Sequence, residues 1–127
     1  MSATFATSPI VPKLDVDANN QSDPLTDGLL ILRFMFGHSG PGLTADALGA
    51  NATRSDPAVL ESYLIDIAPY LDADGNGEVD ALTDGVLIFR YLTGGFSDAA
   101  LIEGAIGPSA TRSTRIEITS HLDTLVP

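Results

Sequence analysis

The stretch LDADGNGEVDALTDGVLIFRYLTG, residues 71–94, decides how this chain is read. Oxygen-bearing side chains alternate through its first half: Asp72, Asp74, Asn76 and Asp80 occupy positions 1, 3, 5 and 9 of a loop, with Glu78 at position 7. In loops of this spacing alternate residues turn their oxygens inward around a hard divalent cation, and position 7 offers its backbone carbonyl. Gly77 at position 6 permits the sharp turn. Calcium takes six to eight oxygen ligands; carboxylates, an amide and a carbonyl make up such a set without nitrogen or sulfur.

Residues 14–37, LDVDANNQSDPLTDGLLILRFMFG, repeat the pattern at an offset of 57, placing Asp15, Asp17, Asn19, Asp23, Asp27, Gly28, Arg33 and Gly37 on Asp72, Asp74, Asn76, Asp80, Asp84, Gly85, Arg90 and Gly94. Position 6 is Asn20, the residue that best tolerates a left-handed backbone after glycine. After one inserted residue the likeness resumes at offset 58, where Ala47, Gly49, Ala52, Thr53 and Arg54 fall on Ala105, Gly107, Ala110, Thr111 and Arg112. The duplicated unit is thus 57 to 58 residues long. Ile10-Val11-Pro12 and Leu125-Val126-Pro127 both match Ile67-Ala68-Pro69, so a third unit would start at the end of the chain, and a longer array or larger parent protein is expected. Residues 1–9 read as a linker and residues 10–127 as one tandem module, with unit one at 10–67 and unit two at 67–125.

The loops and the helix behind each, about 24 residues per unit, resemble the dockerin family and other EF-hand-type calcium loops. The resemblance implies a non-catalytic module of an extracellular or cell-surface bacterial protein. Such a module folds around two calcium ions and binds a protein partner, here a cohesin-like domain or neighbouring domains of its parent. Carried over by position, it makes Asp15, Asp17, Asn19, Gln21 through its carbonyl, and Asp23 ligands of one ion. Asp72, Asp74, Asn76, Glu78 through its carbonyl, and Asp80 become ligands of the other. The closing carboxylate of such loops belongs at position 12, which here is Thr26 or Thr83, with Asp27 or Asp84 one residue later. A one-residue insertion makes Asp27 and Asp84 the bidentate closers and leaves Thr26 and Thr83 as helix N-caps. Positions 10 and 11, at which many dockerins meet cohesin with polar residues, are Pro24-Leu25 and Ala81-Leu82. The period is nearly twice the dockerin one and holds an additional helix.

The expected fold is all-α, a pseudo-twofold pair of calcium loops with their helices. The first helix of each unit, 26–36 and 83–93, is apolar on most sides and therefore reads as buried, with Gly37 and Gly94 ending it. The second begins at Asp56-Pro57 in unit one, and at a Thr114 to Glu117 capping box in unit two. Val59, Leu60, Tyr63, Leu64 and Ile67 form its packing stripe in unit one; Ile118, Leu122 and Leu125 do so in unit two. The connections 38–55 and 95–113 each hold room for one short helix, near 45–48 and 99–105. Arg33 and Arg90 are expected to lay their stems over the core and pair with a carboxylate or a chain-terminal carbonyl. Phe34, Phe36, Tyr63, Tyr91 and Phe96 read as core or its rim, His38 and His121 as surface residues.

The chain has 127 residues and a formal net charge of −11, with 17 acidic residues against 6 basic ones. Of the acids, 13 are Asp, which favours caps, turns and metal loops over helix faces. Nucleic acid and anionic membranes are bound through basic patches, so neither is an expected partner. Eight of the aspartates are loop residues named above, so the acid excess is concentrated rather than diffuse, and the cationic partner it implies is the ion itself. No stretch approaches the ~18 apolar residues of a membrane span, and there is no cysteine to make a thiolate site or nucleophile. No nucleophile-base pair, no carboxylate pair outside the loops and no phosphate cradle is present, so no enzyme activity is expected. Docking of a partner is expected through the apolar helix faces at 29–36 and 86–92. The alternative reading is a calcium sensor or buffer whose output is an ion-driven change of shape.

Overall fold

The structure, a computed structural model, describes residues 13–94, 96 and 99–127. The expected linker 1–9 and the Ile10-Val11-Pro12 match lie outside them. The described residues are helical, with no strand among them. Helix α1 (Leu29–Met35) follows a wide π turn at Pro24–Gly28, and α4 (Val86–Thr93) follows its counterpart at Ala81–Gly85. Two four-residue helices, α2 (Pro41–Thr44) and α5 (Ala99–Ile102), lie in the connections. The longer helices are α3 (Pro57–Ile67), continued by a 3-10 turn at Ala68–Leu71, and α6 (Arg115–Asp123).

Local chemistry explains where these elements start. The Asp56 carboxylate accepts a hydrogen bond from the Ala58 amide (3.1 Å) at the head of α3, and Pro57 presets the first helical φ. At α6 the Thr114 hydroxyl accepts from the Glu117 amide while Glu117 accepts from the Thr114 amide, both at 3.2 Å, the reciprocal box expected from the residue types. The first helices start two residues earlier than expected, because Pro24 and Ala81 already lie in the π turn. Each π turn is closed by a bond five residues back, from the Gly28 amide to the Asp23 carbonyl (3.0 Å) and from the Gly85 amide to the Asp80 carbonyl (3.1 Å). One extra residue is thereby taken up without a break in the helix. Thr26 and Thr83 are consequently not N-caps. They lie inside the turn, and the Thr83 hydroxyl is buried without a partner.

Four further expectations are corrected. The short helix of unit one spans Pro41–Thr44 rather than 45–48, since Pro41 favours a helix start, whereas Asp46 adopts a left-handed φ of 56° that ends it. Its counterpart stops at Ile102, before Gly104 at φ +69°. Val59 is half exposed instead of joining the α3 stripe, and Phe36 at the end of α1 is 60% exposed.

One contiguous core is built from Leu30 and Ile31 of α1, Leu87 and Ile88 of α4, Leu60 and Leu64 of α3, and Ile118 and Leu122 of α6. The two π turns pack reciprocally against the other unit's helix. A Cβ on Gly28 would sit 3.1 Å from Phe89, and one on Gly85 would sit 2.7 Å from Leu32. The apolar faces of α1 and α4 therefore spend much of their surface on the interior. Arg33 donates to the carbonyls of Leu43 and Ala45 (3.1 and 2.6 Å), and Arg90 to those of Ala100, Leu101 and Glu103 (3.2, 3.1 and 2.7 Å). Each guanidinium thus satisfies the orphan carbonyls at the end of a short helix, the carbonyl alternative of the two expected pairings. The ends of the described chain also meet: the Leu14 amide donates to the Leu125 carbonyl (2.7 Å), and Lys13 Nζ to that of Val126 (3.1 Å).

Candidate metal centres

Both loops enter the fold through buried apolar residues, Leu14 and Val16 in one, Leu71 and Ala73 in the other. Period-two alternation then turns the intervening acids toward a common point. The carboxylates of Asp15, Asp17 and Asp27 lie within 4.8 Å of one another, as do those of Asp72, Asp74 and Asp84. Five of the six are buried, and Asp17, Asp27, Asp74 and Asp84 have no accessible surface.

The hydrogen bonds show how each loop is shaped. Asp15 accepts from the amides of Asn19 (3.1 Å) and Asn20 (2.7 Å), and Asp72 from those of Asn76 (3.2 Å) and Gly77 (2.9 Å). Asp27 Oδ1 accepts from the amides of Val16 (2.7 Å) and Asp17 (3.2 Å), while its Oδ2 accepts from Asp23 (2.8 Å). Asp84 accepts from the amides of Asp74 (3.2 Å) and Asp80 (2.9 Å). The π turn brings these carboxylates round to clasp both ends of their loops. With two amides on Asp27 Oδ1, a bidentate reach from this residue would require one of them to let go.

The other expected donors border the groups. The Asn19 and Asn76 side-chain oxygens accept from the amides of Gln21 (3.1 Å) and Glu78 (3.0 Å). Gln21 and Glu78 themselves are exposed. Asp23 and Asp80 stand at the heads of the π turns outside the tight groups, Asp80 accepting from the Leu82 amide at 3.4 Å.

Three carboxylates at this separation repel one another by about 3–4 kcal/mol per charged pair at an effective dielectric near 20. Burial pushes the carboxyls of Asp27 and Asp84 up to about 7, and the charges of Asp17 on one side, and of Asp74 and Asp72 on the other, push the same way. The amides donated to each carboxylate oppose the rise without cancelling it. Asp17 is raised as well, by burial first and then by Asp15. Two oxygens stand out in this arrangement. Asp17 Oδ1 and Asp74 Oδ1, at matching positions, are buried and accept no hydrogen bond. A buried charged acceptor without a partner is costly, and a cation supplies what both oxygens lack. Two Asp-rich groups able to hold metal ions are therefore present, and all their donors are oxygens.

A second segment, to which the sequence motifs assign no role, belongs to each centre. The Gly49 amide donates to Asp17 Oδ2 and the Gly107 amide to Asp74 Oδ2, both at 2.7 Å. Thr53 and Arg54 donate their amides to the Asp17 carbonyl (3.0 Å each), and Arg112 its amide to that of Asp74 (2.9 Å). The Arg54 guanidinium holds the Val16 carbonyl (2.7 Å), and Arg112 holds those of Ala73 (2.8 Å) and Asp72 (2.6 Å). Its visible signal was the second block of the internal match, A-x-G-x-x-A-T-R at residues 47–54 and 105–112.

His38 is exposed, and the His121 ring faces the Tyr70 carbonyl at 2.8 Å; neither belongs to the carboxylate groups. Among the described residues no helix is long and apolar enough to cross a membrane. No protein-family model matches the chain, and no curated protein or solved structure matches it either, so the functional reading stands on the two centres themselves.

Proposed function

We propose that the chain is a two-ion calcium-binding module, a divergent relative of dockerins in which two EF-hand-type loops and their helices form a pseudo-twofold pair. The observation that carries this reading is the matched pair of fully buried aspartates, Asp17 and Asp74, each with an unpartnered oxygen inside a carboxylate triad. Asp15, Asp17 and Asp27, with Asn19, Gln21 and Asp23 around them, would hold one ion. Asp72, Asp74 and Asp84, with Asn76, Glu78 and Asp80, would hold the other. The all-oxygen donor set favours calcium over softer metals.

In this reading the ions are structural. Ion-free triads repel internally, and binding to the folded form alone adds stability by mass action. The module is non-catalytic and serves as a spacer or protein-interaction unit of an extracellular or cell-surface bacterial protein, with a cohesin-like or neighbouring domain as partner. Because α1 and α4 face each other, such a partner would meet exposed apolar residues at the π turns and helix ends: Leu25, Leu82 and Phe36.

Isothermal titration with calcium is expected to give two ions per chain, with Asp17→Ala and Asp74→Ala each reducing this to one. A chain that takes up no calcium would sink the proposal. Circular dichroism in chelator separates the structural reading from the sensor alternative: partial loss of helix with a lowered melting temperature supports the former, while an unchanged fold with micromolar affinity supports the latter. A structural extracellular site can bind as weakly as ~0.1–1 mM.

A further inference from the structure

We infer that the A-x-G-x-x-A-T-R segments at 47–54 and 105–112 are the second half of each ion centre, with Gly49 and Gly107 as the positioning residues that set how Asp17 and Asp74 meet the ion. The inference rests on the calcium reading above. Each glycine amide occupies Oδ2 of a fully buried carboxylate at 2.7 Å, leaving Oδ1 as its unpartnered oxygen. A carboxylate held this way presents one oxygen in a fixed direction and acts as a monodentate ligand. Partners that orient a ligand from behind tune metal affinity in this manner.

Glycine is favoured here by close approach and not by backbone conformation. Neither Gly49 nor Gly107 adopts a positive φ, unlike Gly75 and Gly77 in the loop itself. A Cβ on Gly49 would lie 2.6 Å from Asn19 Nδ2 and 2.9 Å from Asp17 Oδ2. On Gly107 it would lie 2.7 Å from Asn76 Nδ2 and 2.9 Å from Asp74 Oδ2. An added methyl group therefore presses directly on two ligand side chains, at positions 3 and 5, while leaving its own backbone unstrained. The rest of each segment keeps the glycine in place. Its amides and arginine hold carbonyls of loop positions 2 and 3 in unit one and 1 to 3 in unit two, and the Thr53 and Thr111 hydroxyls hold those of Ala18 (2.7 Å) and Gly75 (2.8 Å). Arg54 also stacks 3.8 Å over the Tyr63 ring of α3, which ties the first centre to the helix that follows it.

The test titrates the full chain with calcium in single-site backgrounds, Asp74→Ala leaving centre one and Asp17→Ala leaving centre two. Gly49→Ala and Gly107→Ala are each expected to weaken the remaining site by about 10- to 100-fold, the range for partners that orient a metal ligand. Gly42→Ala, where a Cβ would meet only His38 at 3.9 Å, is expected to change neither site. A positioning role also predicts that the rise in melting temperature between limiting and saturating calcium shrinks in Gly49→Ala, whereas a merely structural role lowers both melting temperatures together. Should the alanine variants fail to fold, Arg112→Gln removes the hold on Asp72 and Ala73 without adding volume; it is expected to weaken centre two several-fold and leave centre one unchanged. Wild-type affinity in both glycine variants, or an equal loss at both temperatures, overturns the positioning role alone. Absence of calcium binding by the wild type overturns the calcium reading and this inference with it.

Discussion

The two loops perform the same turn with different residues, and the difference ranks them. Loop two places glycines at its left-handed positions, Gly75 at φ +66° and Gly77 at φ +90°; loop one holds the same region with Ala18 at φ 57° and Asn20 at φ 71°. A left-handed backbone costs an alanine about 1–2 kcal/mol and costs glycine nothing comparable. Their entries differ too. Loop two continues from α3 through the turn Ala68–Leu71, whereas among the described residues loop one meets the segment after α6 through the Leu14 to Leu125 and Lys13 to Val126 hydrogen bonds and the packing around them. Loop one is thus the strained and non-covalently anchored copy. The lesson is that a matched donor set does not make matched sites, because affinity also depends on what it costs to hold the donors ready. Centre two is expected to bind calcium more tightly than centre one.

The largest effect is common to both centres and comes from protons. Asp27 and Asp84 have folded-state values of about 7, against about 3.9 in an unfolded chain. Between those values the folded form carries more protons than the unfolded form. Their contribution is therefore fully present below about pH 4 and is lost as the pH rises through about 7. In chelator the protein is expected to melt at a lower temperature at pH 8 than at pH 5. Saturating calcium, which takes the place of the protons, should remove that fall. Calorimetric melts at the two pH values check this, and melting that is indifferent to pH in chelator would show that the triads are not strained when ion-free.

Leu125→Ala attacks the entry of loop one. Truncation of this buried residue costs about 2–4 kcal/mol, measured by denaturant unfolding, and the comparison predicts a larger loss of calcium affinity at centre one than at centre two. An equal loss at both would show that the closure of the chain ends serves the core and not the loop. Exchanging the turn residues gives smaller effects of opposite sign. Gly77→Ala is expected to lower stability by about 1–2 kcal/mol and to bring centre two toward centre one. Ala18→Gly relieves the strain but loosens the unfolded chain, so the net gain is about 0.5–1 kcal/mol, with a tighter centre one. If Ala18→Gly destabilises the protein, strain does not distinguish the loops.

Much of the structure was legible because it is local. The caps at Asp56 and at Thr114 with Glu117 depend on residues two or three positions apart, and they form as the residue types dictate. The stripe Leu60, Tyr63, Leu64 and Ile67 is buried as its spacing requires, and Val59 falls outside it because the core reaches only one side of α3. Misplaced features were those in which two local signals competed. A threonine ahead of an apolar run resembles a cap, but the Asp23 and Asp80 positions were already in use as the start of a wider turn. The expected helix near 45–48 had helix-forming residues, yet Pro41 started a turn sooner and the left-handed Asp46 closed it.

By itself the sequence determined the helical class, the caps and the two sets of alternating oxygen donors, since these follow from spacing along a few residues. Tertiary structure alone decided which donors meet: three carboxylates per centre come within 4.8 Å, while Asp23 and Asp80 stay outside the tight groups. It also decided that Gly49 and Gly107, 32 and 33 residues beyond the aspartates they hold, are part of the centres. The physical reason is range. Backbone preference and side-chain chemistry act within a turn or two, whereas burial, the repulsion among buried carboxylates and the close approach of Gly49 and Gly107 to their aspartates exist once distant segments have packed together.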